Sequence, residues 1–245
     1  MSRVRQVLAS RDGIAQLAVV LVAFAGYEAA RHAMEPNWAQ AFANARRIVS
    51  LEQVLGLAWE QSLQRAFLAI PDLVEAFNLF YFVGHFVVTG AFFVWLYRRS
   101  HSGFRSFRDG FLIATAISVV VHWVFPTAPP RLAGVGLEDT LLLFSGIDIG
   151  SPTSSAYSNP VAAVPSLHAA YALGVGVGVI RYARSAWLRA AGLVYPPLVM
   201  LTIVVTGNHF VLDAVAGIAV LGAGFVGARW WRGRRERDES QVCTA

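Results

Sequence analysis

The chain has no lysine; all 20 of its basic residues are arginine. It has a single cysteine, Cys243, so no internal disulfide can form. Charged residues of both signs make up only 14% of it, apolar residues 56%, and mean hydropathy is +0.52. An ordinary soluble domain carries about 25% charged residues, so that class is excluded and several membrane spans are expected. No internal repeat, low-complexity tract or second domain is visible. Residues 1–245 therefore read as one integral membrane domain ending in a cytoplasmic tail at 232–245.

What is present is a series of apolar runs. Windows of about 20 residues give six candidate spans, at 13–33, 73–96, 110–125, 167–182, 187–206 and 210–231. The fold expected is all-α, a polytopic six-helix membrane bundle. The arginines alternate between loops. Arg3, Arg5 and Arg11 precede span 1, and Arg98, Arg99, Arg105 and Arg108 join spans 2 and 3. Arg181, Arg184 and Arg189 join spans 4 and 5, and Arg229, Arg232, Arg234, Arg235 and Arg237 follow span 6. By the positive-inside rule both termini are cytoplasmic. The net charge of +5 is then a topology signal, not the footprint of nucleic acid, and the basic loops should attract anionic headgroups. Ala23-Phe24-Ala25 resembles a signal-peptide cleavage site, but losing span 1 would break the alternation, so it reads as retained. Abundant Arg and Ala without Lys fit a GC-rich genome and a bacterial cell membrane.

In this topology residues 34–71, 126–164 and 206–208 form the extracytoplasmic loops. In the first, Ile48, Leu51, Val54, Leu55 and Leu57 recur near helical spacing, with Arg46, Arg47, Glu52 and Glu60 between them. This suits a helix lying on the membrane surface, or one turning Arg46 or Arg47 toward an anionic substrate. The second loop opens with Pro126-Thr127-Ala128-Pro129-Pro130-Arg131, which cannot continue a helix. It also holds a Ser-, Thr- and Asn-rich stretch at 151–159, whose Asn159 is a candidate site residue.

Two short segments set polar groups at the ends of spans on one face. His209 and Asp213 are four apart, so on a helix they share a face. The carboxylate can fix the imidazole tautomer, leaving a nitrogen free as nucleophile, base or ligand. The same pair also suits plain capping by Asn208-His209 and a helix–helix hydrogen bond from Asp213. Pro165 and Ser166 suit a first helical turn, and His168 just inside it could act as general acid at an anion-attracting helix start. Arg131 could hold phosphate oxygens in its fork. Tyr81 and His85, four apart in span 2, could face the interior together. Asn78, Glu75, Asp109 and His122 receive no role. Zinc on His168, His209 and Asp213 is possible by spacing alone, but no Cys or second His motif supports it. No metal or cofactor is expected.

Pro165-Ser166-Leu167-His168 and His209-x-x-x-Asp213 on such a chain resemble the type 2 phosphatidic acid phosphatase (PAP2) superfamily. Leu167 before His168, together with Pro126–Leu132, is similar to its inositol phosphorylceramide synthase-like branch. The resemblance covers roughly 81–217. It implies a helical bundle with His209 as a nucleophile forming a phosphohistidine, Asp213 orienting it and His168 protonating the leaving group. It further implies phosphate contacts from Ser166 and Arg131, to which Asn208, Tyr81, His85, Arg47 and Asn159 are added as candidates. Val124 stands where the superfamily has Lys, Leu132 where it has Pro, and Thr202 and Ile203 where it has Ser-Arg. Two phosphate-binding cations are thus missing, which favours a singly charged phosphodiester over a doubly charged monoester. The expected activity is transfer of a phospho-headgroup, such as inositol phosphate, from a membrane phospholipid. A lipid-phosphate monoesterase acting on phosphatidic acid or a polyprenyl phosphate is the alternative. A transporter with a His/Asp proton relay is the alternative of another class, though the paired interrupted repeats of many transporters are not visible.

Overall fold

The computed structural model describes residues 11–149 and 159–242, with side chains as far as residue 234. Arg3, Arg5, Cys243, residues 151–158 of the polar stretch and the side chains of Arg235 and Arg237 lie outside the described residues. There are two compact units, Met1–Glu35 and Pro36–Ala245. The first contains α1 (Arg11–His32), a helix whose Ile14, Leu17, Val22 and Phe24 are exposed. Arg31 pairs with Glu28 near its end.

Among the described residues of the second unit the regular elements are all helices, and they start and stop where the local chemistry directs. Helix α2 (Trp38–Leu55) begins at Asn37, whose side chain accepts the Gln40 amide, and ends at Gly56 in the left-handed region (φ +69°). Helix α3 (Glu60–Leu68) follows. A continuous helix then runs from Pro71, a residue preorganised for a first turn, to Arg99. It comprises α4 (Pro71–Leu79), a π-turn (Phe80–Gly84) and α5 (His85–Arg99). Ser100 caps α6 (His101–Val124), which stops just before Pro126. The short α7 (Thr140–Ser145) is capped by Asp139. Helices α8 (Leu167–Tyr182), α9 (Ala186–Val205) and α10 (Val211–Val242) complete the unit.

Five helices are long and apolar enough to cross a membrane: Arg11–His32, Pro71–Arg99, His101–Val124, Ala186–Val205 and Val211–Arg234. Their exposed apolar side chains, such as Phe86, Val87, Trp123, Leu193 and Val226, are what a lipid-facing surface requires. The hydropathy windows predict six spans, and the one not among these five is α8. Its 16 residues rise about 24 Å, against a hydrocarbon core of about 30 Å. It is in contact with α5, α6, α9 and α10, with Val177 and Ile180 exposed. Gly176 faces Gly192 and Pro196 of α9, and Gly178 lies under Phe92 and Phe107, so small residues let the neighbouring helices close around it. Span 3 is longer than its window, since Arg105 and Arg108 lie on α6 and only Ser100 links it to α5. Residues 232–242, expected as a tail, continue α10.

Within the second unit the described loops fold as one layer over one end of its helices. Ala41, Ala45 and Ile48 of α2 pack with Ala128, Val161 and Phe210. Asn44 donates to the Pro126 carbonyl, and Gln64 of α3 donates to the carbonyls of Glu138 and Val205. Asn78 and Thr140 exchange hydrogen bonds between α4 and α7. Thr127 and Ala162 form an isolated parallel bridge. Helix α2 is amphipathic, with one face packed into the layer and most of the expected apolar stripe left exposed. Ala41, Asn44, Ala45, Ile48 and Glu52 are buried, while Leu51, Val54 and Leu55 are exposed.

Candidate active site

His209 lies in the five-residue link (206–210) between α9 and α10, not on the helix that its spacing from Asp213 suggested. Helix α9 ends with the amides of Gly207 and Asn208 bonded to the carbonyls of Val204 and Ile203, the Schellman arrangement. It needs Gly207 at φ +66°, where a side chain would also meet the Glu138 carbonyl and Arg131. Two residues beyond His209, α10 begins. Asp213 reaches back to accept the Phe210 amide at 2.9 Å, as the third residue of a capping box does.

Nδ1 of His209 is 3.0 Å from the Ala163 carbonyl and 3.4 Å from Asp213 Oδ2. A carbonyl only accepts, so Nδ1 carries the proton and Nε2 presents its lone pair. The Ala163 carbonyl thus shares the orienting role that the sequence reading gave to Asp213 alone. Burial holds the imidazole down to about 4, against a smaller upward pull from the Ala163 hydrogen bond. His209 is therefore neutral near pH 7, the state a nucleophile needs.

The loop before α8 is fastened to α10. The Ser166 amide donates to the Asp213 carbonyl at 2.9 Å. Gly217, one turn on, has no Cβ to obstruct it, since one would collide with Ser166 main-chain atoms. Ser166 is fully buried, and its hydroxyl caps α8 through the Ala169 amide at 3.3 Å. His168 then stands with its ring centroid 5.7 Å from that of His209. Tyr81, in the π-turn, stacks on His168 at 4.3 Å and 16°, and its main chain hydrogen-bonds the imidazole. His168 Nε2 is buried without a hydrogen-bond partner, so the Tyr81 bond engages the other nitrogen. π-Turns often mark functional positions. His85 lies 4.8 Å from His168 on its other side and is held by Tyr195 Oη at 2.9 Å.

Arg131 is not a solvated loop arginine. Its Nε donates to Asn208 Oδ1 at 3.0 Å and a terminal nitrogen pairs with Asp139 at 2.6 Å. Its amide donates to the Gly207 carbonyl at 2.9 Å. Asn208 is fixed in turn by Thr206 Oγ1 at 2.8 Å. Eight of the ten candidate residues thus come together: His209, Asp213, His168, Ser166, Tyr81 and His85, with the Arg131–Asn208 pair joined to them through Gly207. The other two stand apart. Arg47 is exposed on α2 and bonds Asn44. Asn159 turns its carboxamide onto the Val161 amide.

Four acidic or imidazole side chains join the site without having been singled out. Asp139 is the partner of Arg131. His122 Nε2 lies 3.3 Å from the Pro165 carbonyl. Glu60 and Glu52 accept the amides of Val211 (3.2 Å) and Leu212 (2.9 Å) at the start of α10. Two charges on a loop helix read as a solvated face, and only the fold brings them to a helix 150 residues later. Among the described residues no group of three or more His, Cys, Asp or Glu is arranged to hold a metal ion.

A family model described as the PAP2 superfamily matches residues 46–227, wider than the stretch carrying the two motifs and including both Glu52 and Glu60. No curated protein and no solved structure matches the chain.

Proposed function

This chain belongs to the PAP2 superfamily, and we propose that it is a membrane phosphotransferase that moves a phospho-headgroup from a lipid phosphodiester to an alcohol through phosphorylated His209. Membership supports activity of the phosphatase or phosphotransferase type on lipid phosphates. The observation that carries the fuller reading is the pair of imidazoles from separate elements, with rings 5.7 Å apart and His209 oriented by the Ala163 carbonyl.

In the first half-reaction His209 Nε2 attacks phosphorus, the N–P bond forms and the P–O bond to the lipid breaks. Burial and the neighbouring His85 and His209 hold the His168 imidazole well below its ordinary value, so it takes up its proton with the anionic phosphate bound beside it and, as the imidazolium, gives its Nε2 proton to the departing oxygen. In the second, neutral His168 takes the proton of an acceptor hydroxyl, whose oxygen attacks phosphorus and releases His209. Asp213 holds the link carrying His209, Ser166 and the α8 amides cradle phosphate oxygens, and Tyr81 and His85 line the leaving-group side. Arg131 meets phosphate with the donors left by Asp139 and Asn208, and Arg47 and Asn159 act at the mouth. With its cation already shared with Asp139, the site suits one negative charge better than two. That favours a diester such as an inositol phospholipid, as in the inositol phosphorylceramide synthase-like branch. Arginine placement supports an extracytoplasmic site in a single domain of a bacterial membrane, with both termini cytoplasmic.

The test gives purified protein in detergent, without added metal, a panel of phospholipids and lipid phosphates with and without alcohol acceptors. Products are followed by mass spectrometry. Headgroup release or exchange from diesters, lost in His209→Ala, His168→Ala and Asp213→Ala, is expected. Free phosphate from monoesters alone would replace transfer by a phosphatase reading. Full activity in His209→Ala would refute the phosphohistidine.

A further inference from the structure

We propose that Glu52 and Glu60 are positioning residues, a carboxyl pair joined by one proton that seats the start of α10 and with it His209. The inference rests on the functional reading above for its catalytic consequence, but not for the pair itself. The two side chains come from α2 and α3, are 1% and 4% exposed, and each accepts one main-chain amide at the first turn of α10, those of Leu212 and Val211. Their carboxyl groups also face each other closely enough to share a hydrogen bond when one is protonated. Ionised carboxylates only accept hydrogen bonds, so that contact requires a proton on one of them.

A helix leaves its first amides without intrahelical partners. Here Asp213, Glu60 and Glu52 take the amides of Phe210, Val211 and Leu212 in sequence. His209 is the residue immediately before this run, so its place is set by groups two of which belong to the loop layer. A displacement of about 1 Å at a reacting group can cost about 10²-fold in rate.

The titratable groups facing Glu52 are Glu60 on α3 and Asp213 on α10, both acidic. Burial first, and then these neighbours, push the Glu52 carboxyl up to about 8, although the Leu212 amide pulls the other way. Above that pH the shared proton leaves, carboxylates confront one another without it, and the seat of α10 loosens. Turnover by the protonated form alone falls about tenfold per pH unit above the midpoint. Glutamine at 52 keeps an oxygen for the Leu212 amide and an N–H for Glu60, so it imitates the protonated acid at every pH.

The experiment compares wild type, Glu52→Ala and Glu52→Gln in detergent from pH 6 to pH 10, by infrared difference spectroscopy of carboxyl groups and by turnover. A protonated-carboxyl band that disappears near pH 8 in wild type, and is missing in Glu52→Gln, is expected. Glu52→Ala should lose turnover, Glu52→Gln should rescue it, and the alkaline fall should vanish in the rescued protein. An unchanged alkaline limb in Glu52→Gln, or a band that survives there, would overturn the proposal. If wild type turns over no phosphate ester, the functional reading has failed and the infrared result alone decides whether the pair shares a proton.

Discussion

Gly217→Ala is the sharpest perturbation the site offers, because the obstacle is main chain and cannot rotate away. An added Cβ would stand 3.0 Å from the Ser166 carbonyl carbon, 3.4 Å from its amide nitrogen and closer still to its oxygen. Non-bonded contacts rest at about 3.5–4.0 Å, and the oxygen is the tightest of the three, so α10 and the start of α8 must part by about 1 Å or more. Overpacking of this kind costs about 1–3 kcal/mol, and replacing glycine within a helix returns about 0.5–1 kcal/mol. The net loss of stability is therefore modest. Catalysis has no such offset. The same separation stretches the bond from the Ser166 amide to the Asp213 carbonyl and moves His168 from His209, so turnover should fall about 10²-fold. Gly222→Ala on the same helix is the control, since nothing lies within 4 Å of a Cβ there. Thermal unfolding in detergent and initial rates on one phosphodiester, measured on all three proteins, suffice. Wild-type turnover in Gly217→Ala would refute the account, as would an equal loss in Gly222→Ala.

Arg131→Ala should reduce kcat/KM about 10²–10³-fold, the loss typical of one preorganised donor to a developing anion; a change below tenfold would mean that phosphate binds elsewhere. Asp139→Asn keeps a good cap for α7 but returns full charge to Arg131. The ratio of monoester to diester turnover should therefore rise, and an unchanged ratio would remove the charge argument for a diester. The folded pKa of His209 is depressed from 6.5 to about 4. Its contribution to stability is complete above pH 6.5 and is lost as pH falls toward 4. Glu52, raised from 4.5 to about 8, has the opposite sign, with stability complete below pH 4.5 and lost as pH rises to 8. Unfolding temperatures against pH should thus slope less on the acid side in His209→Asn and less on the alkaline side in Glu52→Gln than in wild type.

Much of the site was legible because it is written locally. Ser166 and His168 share one helical turn, His209 and Asp213 are four residues apart, and Tyr81 and His85 repeat at that spacing, so each pair could be read without the fold. What was not legible depends on distant chain segments meeting. Glu52 and Leu212 are 160 residues apart, and nothing in the pattern of α2 distinguishes a glutamate that caps another helix from one in water. Arg131 could be picked out as a cation, but its neutralisation by Asp139 depends on how a proline-rich turn closes. Helix α8 shows the converse limit of hydropathy. An enclosed helix and a lipid-facing helix are equally apolar, so composition alone cannot separate a 16-residue core helix from a span.

Two helix starts meet at this site, and their different occupancy would give the proposed reaction a direction. Each offers main-chain amides and the positive end of a dipole, either of which could hold phosphate. At α10 the amides are already taken by Asp213, Glu60 and Glu52, so an incoming anion meets carboxylates there. At α8 Ser166 satisfies the third amide, while those of Leu167 and His168 precede any intrahelical acceptor. In the proposed mechanism phosphate would therefore be drawn toward α8, where His168 stands, and kept from the helix behind His209. The nucleophile and the proton donor then address phosphorus from different sides, as in-line displacement requires. On this argument Glu60→Gln, by easing repulsion at α10, should raise affinity for inorganic phosphate in calorimetric titration while lowering turnover. An unchanged or weaker affinity would mean that the carboxylates serve only to hold the helix.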